Sequence, residues 1–285
     1  MAGGEFIFLF GLGFVWVLFA TVSDIKTKEI PNWLNFSLIA FALSFRFFYS
    51  LFLVPQDFSI LYQGIIGLAI FFVLGEIFYY GKLFAGGDKK LFVGLGAVLP
   101  FFPDFFQNLN AFLVFFLLFF FSGAVYGIAG SIFISLKNPK KFKRGFKVLF
   151  KRYKRNLIFS ISFGIIALLA GFFVNSFLYI GIILFLFPYF FLFIKTVDDF
   201  CMVREVPISK ITPGDWLYKD VRIGKKIIKA TWSGLSESDI KLLRMRGKVK
   251  IRYGIIFAPV FLISFVLLGI LLYWGLLDKF LLGLF

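Results

Sequence analysis

Eight apolar stretches separated by short polar connections fill most of this sequence: residues 6–22, 33–54, 60–80, 91–102, 111–136, 157–174, 177–194 and 255–274. Runs of that length leave a chain two environments, the hydrocarbon of a bilayer or the interior of a bundle of similar segments. The residue balance agrees, with 60% of the chain hydrophobic, 22% aromatic and 16% charged, where a soluble domain carries about 25% charge. The fold class expected is an all-α polytopic membrane protein, a bundle of about eight transmembrane or membrane-embedded helices with a small cytoplasmic α+β domain. The stretch 91–102 is short: at its helical rise it covers about 18 Å, so it is expected to be extended by its polar flank, re-entrant, or packed inside the bundle. The run 157–194 is too long for one span of about 20 residues, and Asn175-Ser176 near its middle predict a tight helical hairpin.

Charge placement sets the expected topology. With the N-terminus outside, eight spans leave 29 of the 31 Lys and Arg on the cytoplasmic side, with Lys279 outside and Arg46 inside a span. The outer connections 55–59 and 103–110 and the hairpin at Asn175 carry none. Such one-sidedness is the positive-inside pattern, so the net charge of +16 reads as topology and no nucleic acid is expected as a partner. The first stretch has no Lys or Arg before Lys26 and so lacks the basic flank of a cleaved secretory signal; it is expected to remain as a span. The localisation expected is a multi-pass protein of the cell membrane, its polar domain facing the cytoplasm.

Five regions follow. Residues 1–136 form an N-terminal membrane catalytic core. Residues 137–156 form a basic amphipathic cytoplasmic segment, with ten Lys and Arg, no acid, and Phe142, Phe146, Leu149, Phe150 and Tyr153 at spacings of three and four. That segment is expected to lie at the interface, its apolar stripe in the acyl boundary and its cations against anionic lipid headgroups, although docking of a partner fits as well. Residues 157–195 form the transmembrane hairpin and 255–285 a C-terminal transmembrane helix. Between them, 196–254 predict the small α+β domain: alternation at 216–223 and 226–230 around a Gly224-Lys225 turn, a helix opened by Ser236 and Asp239 and running to Arg246, and a strand to Tyr253.

The chain has no His and a single Cys, Cys201, which excludes an imidazole base, a His or Cys metal cage and a CxxC redox pair; no cofactor or metal is expected. Two acids lie at the cytoplasmic mouth of the expected bundle. Asp24 follows the first span in Ser23-Asp24-Ile25, and Asp88 opens the short stretch in Phe84-Ala85-Gly86-Gly87-Asp88-Lys89-Lys90-Leu91. Carboxylates at one depth can meet, and a close pair shares a proton, one member activating water while the other polarises a carbonyl. Gly86 and Gly87 would let a substrate strand or an opposing helix come close to Asp88. The residues alone leave a second reading open, in which both are ordinary helix-end acids. Glu76, near the cytoplasmic end of its span, reads as a substrate contact, a tuner of an Asp, or an acid reaching the interface. Lys89 and Lys90 flank Asp88 and would favour its ionised form, and they read equally as topology charges. Arg46 is expected to snorkel outward.

The run Asp-Ile-x-x-x-x-Ile-Pro-Asn-x-Leu at 24–34, followed by Phe-Ala-Gly-Gly-Asp-Lys-Lys-Leu at 84–91 and Leu99-Pro100, resembles the type IV prepilin peptidases, GxGD aspartyl proteases, and among them the archaeal preflagellin and prepilin peptidase branch. The resemblance covers residues 1 to about 136, and Thr212-Pro213-Gly214-Asp215, residues 234–240 and residues 255–259 look like the C-terminal domain of archaeal members. Position 85 is Ala where the nominal motif has Gly. The resemblance implies Asp24 and Asp88 as the catalytic pair of an aspartic endopeptidase that removes a short basic leader from preflagellin (prearchaellin) or prepilin-like precursors at the cytoplasmic interface. Bacterial members that also methylate the new N-terminus carry an extra cytoplasmic domain, often with paired CxxC zinc ligands; with neither read in this sequence, no attached methyltransferase is expected. Three alternatives stand beside this reading: a presenilin-like intramembrane protease, against which Ser23 and the helix-end position of Asp24 speak, a transporter or channel with Asp24, Glu76 and Asp88 as a proton or cation site, and a non-catalytic scaffold for pilus assembly. The oligomeric state is not legible.

Overall fold

In the computed structural model, residues 4–224, 226–244, 247–277 and 279 are described. Six helices are long and apolar enough to cross a membrane: α1 (Gly4–Thr27), α2 (Asn32–Phe52), α3 (Ser59–Tyr80), α5 (Phe105–Lys137), α6 (Pro139–Ala170) and α7 (Asn175–Thr196). Two shorter helices accompany them, the apolar α9 (Ala258–Tyr273) and α4 (Gly86–Val98), which opens on a polar turn. Each of the eight apolar stretches holds one of these helices, and the chain is a multi-pass membrane protein. It divides into two compact units, one of residues 1–127 with 255–285 and the other of residues 128–254.

The first unit is built around α4. This helix is too short to span, and it is buried along nearly its whole length by Leu91, Phe92, Gly94, Leu95, Gly96, Ala97 and Val98. It packs against α3, α2 and α1. Close approach to α3 depends on two glycines: a Cβ on Gly67 would meet the Gly96 carbonyl oxygen, and one on Gly96 would stand 2.5 Å from Phe71 Cβ. Small residues at such crossings let helices in a bilayer gain packing that hydrophobicity cannot supply there. Phenylalanines fill the remaining core, with Phe71, Phe92, Phe115, Phe119, Phe261 and Phe265 fully buried.

A helix ending inside a bundle leaves carbonyls without partners. At the end of α4 the partner is Arg46, which corrects the expectation that it reaches outward. Its side chain is fully buried and donates to the carbonyls of Ala97 (2.9 Å), Val98 (3.1 Å), Pro100 and, from α3, Ile60 (2.9 Å). The guanidinium fork serves several acceptors at once and places a cation at a helix C-terminus, where the dipole favours it.

The second unit carries the α6–α7 hairpin and the small domain. Helix α6 runs unbroken from Pro139 to Ala170, so the basic stretch and the following span are one helix. The apolar stripe of the basic stretch is largely taken up within the protein. Phe142 packs on Phe193 and Tyr153 on Phe191, each with ring centroids 5.5 Å apart, while Gly145 admits Phe200. Phe150 stays exposed. The turn falls at Gly171–Val174, with Asn175 opening α7. A π-helical turn (Val197–Cys201) leads into a three-stranded antiparallel sheet of β1 (Val203–Pro207), β5 (Lys248–Arg252) and β2 (Trp216–Leu217), in the order β1-β5-β2. A hairpin of β3 (Val221–Ile223) and β4 (Lys226–Ile228) and the helix α8 (Glu237–Leu243) accompany it. Ser236 and Asp239 form the expected capping box, Ser236 Oγ accepting the Asp239 N–H and the Asp239 carboxylate the Ser236 N–H. Lys225 of the expected turn and Arg246 at the expected helix end lie outside the described residues. The sheet is tied to the π-helical turn by Arg252, 3.4 Å from Asp198 and 3.3 Å from Asp199.

Candidate active site

Asp24 stands in the last turn of α1. Beyond it the chain folds back sharply: Lys28 takes a positive φ of 60°, its N–H bonds the Asp24 carbonyl at 2.8 Å, and Ser23 Oγ and Thr27 Oγ1 both donate to the Glu29 carbonyl. Ile30 is buried, and Pro31, extended at φ −60° and ψ 137°, starts α2. The Ile-Pro-Asn run therefore returns the chain to the bundle beside Asp24. Asn32 then accepts a hydrogen bond from Lys90 Nζ at 2.6 Å, which joins the two motifs directly.

Asp88 is the third residue of α4. Its carboxylate accepts the Ala85 N–H at 3.3 Å, an acid meeting a free donor at a helix start. Phe84, just before that start, is buried among Phe78, Phe92 and Phe119 and fixes where the loop enters the bundle. Gly87 approaches Ile30, so that a Cβ there would rest 3.5 Å from Ile30 Cβ, and Gly86 faces open space. Neither glycine has a positive φ or a crowded Cα, so the room they leave is not used by the protein's own backbone.

The two acids interact. Asp88 lies outside the six spans, and its carboxyl is pushed above the ordinary carboxylate range first by burial and then by the neighbouring Asp24 carboxylate, against the smaller opposing effect of the Ala85 N–H. The flanking lysines do not relieve this, contrary to expectation. Lys89 reaches away to Glu76 on α3 at 2.8 Å, over the Tyr79 ring, and Lys90 is held by Asn32. Glu76 thus touches the site through Lys89.

Helix α9 supplies a contact that sequence reasoning missed. The Ala258 N–H donates to Asp24 Oδ2 at 3.2 Å. One turn before Asp24, Thr21 Oγ1 bonds the Ala258 carbonyl at 3.3 Å. Tyr126 on α5 lies within electrostatic reach of Asp24. Backbone donors leave no residue-type signature, and the only hint was that residues 255–259 look like a family segment.

Residues 11–128 match the model of the type IV leader peptidase family. Similar curated proteins are a preflagellin peptidase of Methanococcus maripaludis, 34% identical over 31% of this chain and 37% of that protein, and one of Methanocaldococcus jannaschii, 33% identical over 32% and 38%. A preflagellin peptidase of Methanococcus voltae is 28% identical over 50% of this chain and 66% of its own length. The chain thus spans little more than a third of the length of the first two relatives. No solved structure matches. Both motifs and most of the α1 to α4 framework lie inside the matched region, so residues 11–128 of this chain are similar to the type IV leader peptidase family.

Proposed function

We propose that the protein is an aspartic endopeptidase of the cell membrane that removes the leader from preflagellin or prepilin-like precursors, with Asp24 and Asp88 as its catalytic pair and no attached methyltransferase. The observation that carries this reading is the convergence of two carboxyls from separate elements, close enough that the charge of one raises the other. A pair in that state holds one ionised and one protonated member. The ionised carboxylate takes a proton from water, the oxygen of which attacks the scissile carbonyl carbon. The protonated carboxyl donates to the carbonyl oxygen, and collapse of the adduct expels the amine, which leaves with a proton. The open side of Gly86 gives an extended substrate backbone room beside Asp88.

Topology supports the same substrate class. A precursor with a basic leader and an apolar segment presents its scissile bond at the cytoplasmic interface, the side on which the charge pattern puts Asp24 and Asp88 with the N-terminus outside. The exposed cations of α6 fit anionic headgroups on that side and would repel a basic leader, which makes lipid their better partner.

The test is co-expression with a tagged preflagellin precursor in isolated membranes. Wild type is expected to shorten it, and Asp24→Asn and Asp88→Asn at equal protein level are each expected to lose on the order of 10²- to 10⁴-fold in rate. Cleavage that survives both substitutions overturns the aspartic reading.

A further inference from the structure

We propose that the first turn of α9 is a positioning element of the catalytic pair: the Ala258 N–H holds the Asp24 carboxylate in its ionised form, so that Asp24 serves as the base and Asp88 as the proton donor. This rests on the aspartic reading above. It goes beyond the matched family region, which ends at residue 128, because it makes a segment more than a hundred residues downstream part of the site.

The geometry has a donor side and an acceptor side. Asp24 ends α1, where carbonyls crowd and the dipole disfavours an anion, so α1 offers its carboxylate no support. At the start of α9 the first N–H groups have no acceptor within their own helix, and Phe257 provides no side-chain cap. Asp24 fills that vacancy from another helix, taking the Ala258 N–H at 3.2 Å. Asp88 accepts the Ala85 N–H of its own helix start at 3.3 Å. The start of α9 thus gives the Asp24 carboxylate the support that its own helix end denies it.

Helix α9 is fixed well enough to serve as a reference. Phe265 lies parallel to Phe10 with ring centroids 5.0 Å apart, and Gly13 admits the Phe265 ring. Thr21 holds the Ala258 carbonyl. Phe261 packs on Phe84, Phe92 and Phe119, with centroids 5.9, 6.5 and 4.8 Å away, and Phe84 leads into the loop of Asp88. One turn of one helix therefore touches Asp24 by hydrogen bonds and the Asp88 loop by packing.

Two measurements on the full chain test this. In the first, hydrogen exchange in lipid nanodiscs compares wild type, Asp24→Ala and Asp88→Ala. Loss of Asp24 is expected to speed exchange in peptides covering residues 255–262 on the order of tenfold, as for one charge-assisted hydrogen bond, and loss of Asp88 is not. Equal protection in the two variants overturns the cap, whether or not any precursor is cleaved. In the second, the pH–rate profile of precursor cleavage compares Ala258→Pro, which removes an N–H that serves no intrahelical bond, with Ala258→Gly, which keeps it. The acid limb, set by ionisation of the base, is expected to move up by about one pH unit in Ala258→Pro and to stay in place in Ala258→Gly whatever the rate. An unmoved limb in an active Ala258→Pro overturns the role assignment. If wild type cleaves nothing, the aspartic reading falls, and exchange still decides the cap; it does so as well if Ala258→Pro fails to fold.

Discussion

At the scale of single residues, the site is a balance between charges brought together and charges led away. Asp88 sits between two lysines in sequence, yet Lys89 is paired with Glu76 and Lys90 with Asn32. The proton-donor role needs Asp88 protonated, and burial together with Asp24 holds its carboxyl above the usual range. Cleavage is therefore expected to decline as pH rises through that raised value, giving the profile an alkaline limb. Glu76→Gln would release Lys89 beside Asp88. A freed cation favours the ionised carboxylate, so the alkaline limb is expected to move to lower pH, and an unmoved limb would show that Glu76 does not act on Asp88 through Lys89. The two acids were legible because a motif marks them and charge placement set them at one depth. The destinations of Lys89 and Lys90 were not, since long side chains choose partners from neighbouring helices that sequence does not place.

At the scale of elements, the controlling piece is α4. Its short apolar run read as extended by its polar flank, as re-entrant or as packed inside the bundle; the helix begins at Gly86 in that flank and is the central buried helix of its unit. What makes so short a helix tenable in apolar surroundings is Arg46, which answers carbonyls at the end opposite Asp88. The pattern around Arg46 held no acid to suggest a buried partner, and backbone acceptors are invisible in sequence; hence the mistaken expectation of snorkelling. Arg46→Met leaves several buried carbonyls without donors, at about 1–3 kcal/mol each. It is expected to lower the thermal midpoint in detergent by many degrees and to reduce cleavage with it. Arg46→Lys keeps the charge and loses the planar fork, so it is expected to recover only part of the loss. A lysine variant as stable as wild type would mean that charge alone secures α4. Gly96→Ala offers a check on the opposite surface of this helix, because its new methyl would stand 2.5 Å from Phe71 Cβ and is expected to cost about 1–3 kcal/mol by overpacking.

At the scale of the whole molecule, the asymmetry of charge is the strongest statement the chain makes about its place in the cell. The helices fall where the apolar runs do, and the α8 capping box was readable from Ser236 and Asp239. Strand order in the small domain was not, because β1 and β5 pair across forty intervening residues and no local pattern encodes that pairing. Sidedness rests on the positive-inside count, and it can be tested cheaply because Cys201 is the only cysteine. In a Cys201→Ser background, single cysteines replacing Asp57, Asp104 or Ser176 are expected to react with a membrane-impermeant maleimide added to whole cells. Cysteines replacing Lys143 or Lys219 are expected to react only after the membrane is opened. The pattern matters for chemistry as well as for topology: a precursor offers its leader junction on the cytoplasmic side, so labelling of the Lys143 or Lys219 replacements from outside would put Asp24 and Asp88 on the face where no such substrate is presented.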